Sequence, residues 1–234
     1  MANRPVFIPT KITDKHTCEV IVSDIDFKWF PGMSKSQKQK SIVSLHQAAN
    51  RQDISHILEI SSKSEIDLGV KLSAFNLTIT TKKKKESFSV ESAFQSSKVF
   101  DRGGPYTEIL DSSSRQAKKD PRLKESGNLM YFSFFDKKFD LKPRTFFYDW
   151  IYINALKQNQ DLAERLLEYS AFTDIEFNPK KSINCQAYSA ALYVSLFQHN
   201  MLDNALKSPN NFKKILGTEY QNRDKVLPVQ LKLF

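Results

Sequence analysis

The chain has 234 residues, of which 40% are hydrophobic and 12% aromatic, enough for one domain with a packed core and too many for global disorder. Its 35 Lys and Arg residues exceed its 26 Asp and Glu residues, so the formal net charge is +9. A surplus of this size favours polyanionic partners such as nucleic acid, whereas only 6 glycines argue against a glycine-rich loop that cradles phosphate.

An N-terminal extension over residues 1–59 is predicted to contain a strand and a helix. Apolar runs within residues 20–29 are typical of a strand, and Pro31 would end it. Residues 36–50 place apolar side chains at helical spacing, with lysines on the opposite face. Residues 56–61 then predict a short strand that leads into the main domain.

The next stretch predicts a β-hairpin followed by a short helix. Residues 75–80 alternate as a strand does, and the four lysines at 82–85 would form either a solvated tip or a contact with DNA. Either Ser87 or Ser89 is suited to cap the helix that follows, because a serine hydroxyl accepts a hydrogen bond from a free N–H of the first turn.

Beyond that helix the pattern changes from loop to mostly helix. Residues 101–122 are polar and interrupted by glycine and proline, which predicts a long loop, and residues 131–141 predict a β-turn unit. Helical spacing follows over residues 145–158, 161–169, 184–198, 201–207 and 209–216. We therefore predict a single α-rich α+β domain with a small antiparallel β component. Residues 1–59 would pack as an extension on a main domain of residues 60–216, with a tail at 217–234.

The predicted helix after residue 87 carries charged residues beside its apolar face. Glu91 and Lys98 are seven residues apart, close to two turns, so the spacing predicts that both project from one side with Gln95 between them. Burying an unpaired carboxylate or ammonium group is costly. A catalytic pocket, a buried ion pair and a solvated helix edge each account for this pattern.

An ordered set of short motifs surrounds this helix: Leu-Ser-Ala-Phe at 72–75, Ser-Val-Glu at 89–91, Phe-Gln at 94–95, and Lys98. The set resembles the opening of the NADAR domain, a family of N-glycosidases that act on ADP-ribose derivatives and related ribosyl compounds. The likeness runs from about residue 60 to about residue 198. Further phrases resemble the branch found beside DarT-type toxins, which ADP-ribosylate guanine in DNA; they lie at 27–32, 36–42, 103–106, 177–181 and 182–187.

The resemblance implies an antitoxin that removes ADP-ribose from guanine bases in DNA by hydrolysing the N-glycosidic bond. Its substrate would be ADP-ribosylated DNA and its product ADP-ribose, and a DarT-type toxin is a further candidate partner. The resemblance implies neither a cofactor nor a metal. Two alternatives remain open: an N-glycosidase of a small ribosyl metabolite, and a non-catalytic binder of the modified DNA or of the toxin.

The resemblance also implies the catalytic residues. Breaking the bond develops positive charge at the anomeric carbon, which a carboxylate can stabilise while it or a second carboxylate activates water. Glu91 and Asp174 are the corresponding pair. Lys63 and Lys98 are both candidates for neutralising phosphate or for attacking the ring-opened ribose as an amine with a lowered pKa. The sequence does not choose between the two lysines.

The residues implied for substrate binding are Ser73, Phe75, Gln95, Lys118, Trp150 and Tyr188. Phe75 and Trp150 would sandwich a ring of the ligand. Three positions depart from the family pattern: Ala74 replaces an asparagine, Asp174 is followed by Ile-Glu-Phe where Trp-Gly is common, and Tyr188 stands where a basic side chain is expected.

Cysteine and histidine usage points to no further chemistry. The two cysteines form no Cys-x-x-Cys motif, and the four histidines lack the spacing of metal ligands. The first residues carry no apolar signal segment, and no apolar run has membrane-spanning length. We therefore expect a cytoplasmic protein with no membrane partner and no bound metal.

Overall fold

The fold was obtained as a computed structural model, which describes residues 1–10, 18–81 and 85–226. The first two strands, β1 (Ala2–Pro9) and β2 (Val20–Phe27), pair antiparallel from Ala2 opposite Phe27 to Pro9 opposite Val20. The apolar pattern predicted β2. It did not predict β1, which contains two prolines, residues that lack the N–H group a strand interior needs.

β1 and β2 belong to a mixed four-stranded sheet. β1 also lies beside β9 (Ala171–Thr173), and β9 pairs in parallel with β3 (Ile57–Glu59), so the strand order is β2-β1-β9-β3. The parallel pair adds to the predicted small antiparallel β component, which the other strand pairs form. It joins the end of the N-terminal extension to the residues that directly precede Asp174.

Helix α1 (Lys35–Asn50) covers one face of this sheet. It begins after Ser34, whose hydroxyl accepts a hydrogen bond from the N–H of Gln37, and it buries an apolar stripe against alternate strand residues. The intervening strand residues point to the opposite face, where the main core lies. The helix at 36–50 and the strand at 56–61 are both confirmed within a few residues.

After α2 (Asp67–Lys71), a tight turn leads into the hairpin of β4 (Thr78–Thr80) and β5 (Ser87–Ser89). The strand predicted at 75–80 is thus confirmed only over its second half, and three of the four lysines at the predicted tip lie outside the described residues. Ser89, not Ser87, caps α3 (Val90–Ser96), because its Oγ accepts the N–H of Ser92 at 3.0 Å.

The prediction that Glu91 and Lys98 share one helix is wrong, because α3 ends at Ser96 and Lys98 begins strand β6 (Lys98–Phe100). The Oγ atoms of Ser96 and Ser97 donate to the carbonyl of Ala93 at 3.0 and 2.6 Å. Such side-chain bonds compete with the helix ladder and favour its end.

The long loop predicted at 101–122 contains short helical segments: a 3₁₀ helix (Thr107–Asp111) and α4 (Ser114–Lys119), followed by α5 (Arg122–Glu125). A capping box between Ser113 and Gln116 starts α4. The prediction missed this helix start because the glycines and prolines of the segment favour a loop. The β-turn unit is confirmed as a hairpin of β7 (Leu129–Phe134) and β8 (Lys137–Phe139), which extends β6 into a three-stranded sheet.

From residue 146 onward the chain is mostly helical, as predicted, with β9 between two of the helices. The helices are α6 (Phe146–Gln158), α7 (Gln160–Leu166), α8 (Gln186–Gln198), α9 (Leu202–Ala205), α10 (Pro209–Ile215) and α11 (Gly217–Val226). α6 and α8 are buried on nearly all sides and form the main core.

The predicted single α+β domain is confirmed. α11 was not predicted, and residues 227–234 lie outside the described residues. Over the described ranges no helix is long and apolar enough to cross a membrane.

A buried polar network fastens α11 to α6. The carboxylate of Asp149, on α6, accepts hydrogen bonds from Ser189 at 2.6 Å, Thr145 at 2.8 Å and Tyr220 at 3.3 Å. Arg223 of α11 completes it with an ion pair at 3.5 Å. Because these groups are largely shielded from water, removing one of them would leave the others buried with an unpaired charge or an unsatisfied hydrogen-bonding group, which destabilises the fold.

We expect Asp149→Ala to lower the free energy of unfolding by about 3–5 kcal/mol, because it leaves the Arg223 guanidinium buried without its carboxylate. Urea denaturation of both proteins measures this. Asp203→Ala is the matched control, since it breaks an exposed ion pair with Lys157 of 2.8 Å and should leave the midpoint nearly unchanged. Equal losses in the two variants would contradict the assignment.

Candidate active site

A cleft of about 480 Å³ opens between the turn after β3, the turn before β4, helices α3 and α4, and the segment that links β9 to α8. It has the size of a small-molecule site. Seven of the residues predicted for the site line it: Lys63, Ser73, Phe75, Glu91, Gln95, Lys118 and Asp174. They come from five separate parts of the chain.

Glu91 is held at the cleft by the first turn of α3. Its backbone N–H donates to the carbonyl of Ala74 at 2.9 Å, so the helix start is fastened to the 72–77 turn. The side chain is 8% exposed, and Oε1 accepts a hydrogen bond of 2.9 Å from Nε2 of Gln95, one turn later. Oε1 of Gln95 is buried and has no hydrogen-bond partner within the described part of the chain. An acceptor is therefore available beside Glu91.

Lys118 lies at the rim of the cleft, between a carboxylate and an aromatic ring. Its Nζ is 4.0 Å from Oε1 of Glu91 and 5.3 Å from the centre of the Phe75 ring. The Lys118 side chain is 60% exposed, so both contacts are accessible to solvent and weak in the absence of a ligand. The ammonium group is therefore free to turn toward an anionic ligand.

Ser73 lines the cleft, but its hydroxyl is engaged within the turn. Its Oγ donates to the carbonyl of Val70 at 2.7 Å and accepts from Nδ2 of Asn76 at 3.0 Å. The hydroxyl proton is thus used to shape the turn that carries Phe75.

Asp174 follows β9 directly and lines the cleft. Its Oδ1 accepts the backbone N–H groups of Glu176 at 2.9 Å and Phe177 at 3.1 Å, which fix the orientation of the carboxyl group. Burial, with the negative charge of Glu59 in addition, raises the pKa of Asp174 well above its usual range. A carboxyl group of this kind can hold a proton near neutral pH.

The two candidate lysines differ in their access to the cleft. Lys63 lines it. Lys98 is 1% exposed, and its Nζ lies 4.9 Å from the ring centre of Phe94, which does line it. Burial lowers the pKa of Lys98 to about 8, against the opposing effect of Glu91. The structure therefore puts Lys63 at the ligand-accessible surface and Lys98 in the layer behind.

Two predicted substrate contacts are not brought to the cleft. Trp150 packs edge-on against Phe212 at 5.4 Å and lines a separate groove beside β4 and β8. Tyr188 is buried under the guanidinium of Arg223, 3.3 Å from its ring centre, and donates a hydrogen bond to Glu219. Tyr188 therefore belongs to the network that binds α11, which corrects its prediction as a substrate-binding residue.

Both corrections have the same geometric cause. Tyr148 and Gln186 line the cleft, and the predicted residues Trp150 and Tyr188 follow each of them by two positions. Two residues along an α-helix correspond to about 200° of rotation, so the later side chain faces away.

Gln186 also joins two walls of the cleft, since its side-chain oxygen accepts the N–H of Ala74 at 2.7 Å and its side-chain nitrogen donates to the carbonyl of residue 60 at 2.7 Å.

The cleft carries more cations than the sequence predicted. Arg115 and Lys181 line it in addition to Lys63 and Lys118. The carboxyl groups of Glu91, Asp174 and Glu176 line the same cleft. Arginine and lysine side chains of this kind bind phosphate oxygens, so the lining suits a ligand that carries both phosphates and a cationic reaction centre. Within the described ranges no three His, Cys, Asp or Glu residues are grouped to hold a metal ion.

The family model of the DarT1-associated NADAR antitoxins matches residues 2–226. Because this match spans nearly the whole chain, the protein belongs to that family. A search of curated proteins found no match to the chain.

Proposed function

We propose that this DarT1-associated NADAR antitoxin removes ADP-ribose from guanine bases in DNA by hydrolysing the N-glycosidic bond. Family membership supports an antitoxin with NADAR-type activity and a DarT-type toxin as its functional partner. The observation that carries the chemistry is the meeting of Glu91, Asp174 and Lys63 in one cleft, from segments far apart in the chain.

In this proposal the two carboxyl groups have different roles. Glu91, held by Gln95 with Lys118 nearby, stabilises positive charge at the anomeric carbon or activates the attacking water. Asp174 has a raised pKa and carries the proton that the departing guanine amine needs. In many enzymes two carboxyl groups lie in environments that give them different pKa values, so that one acts as the acid and the other as the base.

The cationic rim would bind the pyrophosphate of ADP-ribose. Lys118 is positioned by Phe75 and Glu91, and Arg115 and Lys181 line the same opening. The net charge of +9 adds long-range attraction to DNA, which a small metabolite would not require.

The discriminating experiment compares turnover of an ADP-ribosylated oligonucleotide with that of the ADP-ribosylated guanosine nucleoside. We expect faster turnover on DNA at low salt, with an advantage that falls steeply as salt rises, because phosphate contacts release counterions. Unmodified oligonucleotide serves as the competitor control and should inhibit only the DNA reaction. Equal rates at low salt would favour the metabolite enzyme, and binding without release of ADP-ribose would favour a non-catalytic binder.

A further inference from the structure

Glu59, the last residue of β3, is 2% exposed and lies beside Asp174 without lining the cleft. Its Oε2 accepts a hydrogen bond of 2.7 Å from Oγ1 of Thr173, and its Oε1 accepts one of 2.8 Å from the backbone N–H of Ile175. Thr173 and Ile175 are the two chain neighbours of Asp174. One buried carboxyl group therefore contacts both neighbours of the proposed acid, through the hydroxyl of Thr173 and the backbone N–H of Ile175.

The contact extends to the N-terminal helix. Nε2 of His46, on α1, lies 2.8 Å from Oγ1 of Thr173. The threonine hydroxyl has one proton, which it donates to Glu59, so His46 must be the donor in this pair. Burial lowers the pKa of His46 to about 4, which keeps the ring neutral and able to donate from Nε2 while Nδ1 carries no proton. Both hydrogen bonds thus point toward the carboxylate.

A buried carboxylate at this position has a cost that an apolar side chain would not have. The neighbouring residues of β3 and β9, Leu58 and Phe172, pack into the main core, whereas Glu59 and Thr173 lie where the sheet meets α1. If the position only had to fill space between the sheet and α1, a valine or leucine side chain would do so without that cost. The orientation of both hydrogen bonds toward the residues around Asp174 indicates a different role.

We propose that Glu59 is a positioning residue, which fixes the turn that presents Asp174 to the cleft and is itself braced through Thr173 by His46. This inference rests on the proposed function. Its second consequence is electrostatic. Burial raises the pKa of both Glu59 and Asp174, and the negative charge of an ionised Glu59 further disfavours ionisation of Asp174, so the buried pair helps Asp174 to retain a proton.

The groups that interact electrostatically with Asp174 come from several elements: Glu59 on β3, Glu176 in its own turn, Arg4 on β1, Tyr148 and Tyr152 on α6, and Cys185 before α8. Burial raises the pKa of both tyrosines and of the thiol, which keeps them neutral at neutral pH. The two glutamates raise the pKa of Asp174 and Arg4 opposes them. Removing the Glu59 charge should therefore lower the pKa of Asp174.

The test uses Glu59→Gln, which removes the charge but keeps an oxygen able to accept the N–H of Ile175. With ¹³C-labelled aspartate, the Asp174 carboxyl signal, assigned by its loss in Asp174→Asn, should titrate at lower pH in Glu59→Gln than in the unmodified chain. The limb of the pH–kcat profile that reports Asp174 should move to lower pH with it, while KM for modified DNA changes little.

A second pair of variants tests the brace without changing charge. Thr173→Ser keeps the hydroxyl and should retain turnover, whereas Thr173→Val removes it and should lower kcat about tenfold with KM little changed. Tyr220→Phe is the control for general damage: it deletes a hydrogen bond to the buried Asp149, outside the cleft, and should lower the melting temperature without moving the pH profile.

An unchanged Asp174 titration in Glu59→Gln would overturn the electrostatic part of the proposal, and equal kcat in the two Thr173 variants would overturn the brace. If Glu59→Gln does not fold, the Thr173 pair still decides. The carboxyl titration does not depend on turnover. If the unmodified chain is inactive on modified DNA but Glu59→Gln still lowers the pH at which Asp174 titrates, the proposed function is refuted and the positioning role of Glu59 is not.

Discussion

Glu91→Gln is expected to fold normally and to lose turnover by roughly two orders of magnitude or more, the scale of one preorganised catalytic group. The substitution keeps the volume of the side chain, and its amide oxygen can still accept the hydrogen bond that Gln95 donates at 2.9 Å. The backbone bond to Ala74 is unaffected. What disappears is the negative charge, which a cationic transition state in a poorly solvated cleft would experience strongly. Hydrolysis rate and melting temperature should be measured on the same preparation.

The control for this variant is Asp203→Asn. It raises the net charge by the same unit, and therefore changes long-range attraction to DNA equally, but it lies in an exposed ion pair with Lys157 on the surface. We expect its turnover to match that of the unmodified chain. If Glu91 were only a partner for Lys118, 4.0 Å away, Glu91→Gln would change stability and leave turnover per folded molecule intact. A stable, fully active Glu91→Gln protein would refute the assignment of the site.

The sequence predicted those elements whose pattern is local and strong. The helix now seen as α1 has an apolar stripe at helical spacing, and α6 and α8 are long and apolar on nearly all sides; the bounds of all three differ from the prediction by one or two residues. β1 was missed because its two prolines oppose a strand assignment, although pairing with β2 compensates. The short helices between 107 and 125 were missed because the nearby glycines and prolines predict a loop. The capping box of α4, which favours a helix, is a polar signal that the apolar pattern does not contain.

The site was predictable in part only. Residues 63 and 174 meet because β3 pairs in parallel with β9, and residue 91 joins them because its N–H donates to the carbonyl of Ala74; neither contact leaves a local pattern in the sequence. Resemblance supplied these positions; it also supplied Trp150 and Tyr188, which lie two residues beyond the side chains of α6 and α8 that line the cleft. Glu59 was not singled out at all, because a lone glutamate ending a short strand looks like an ordinary solvated residue until its burial is known. The chemical roles of all these residues remain predictions.

The lysine that contacts the ribose should be Lys63. An amine that attacks C1 of the ring-opened ribose displaces the guanine amine and leaves a Schiff base, which water then hydrolyses to release ADP-ribose. That reaction requires an amine at the ligand-accessible surface, where Lys63 lies, whereas Lys98 is 1% exposed and packed over Phe94. Borohydride added during turnover should reduce the Schiff base, and peptide mass mapping should locate the adduct at residue 63 and not at residue 98.

Lys63→Arg keeps the positive charge but cannot form the Schiff base, so we expect no adduct and a loss of turnover of roughly two orders of magnitude or more. Lys118→Arg is the matched control. It makes the same exchange at the rim of the cleft, near Glu91, and should raise KM while adduct formation persists. An adduct on Lys98 would reverse the choice of lysine. If no adduct forms and Lys63→Arg is fully active, water attacks the anomeric carbon directly, and Glu91 and Asp174 carry the reaction without an amine.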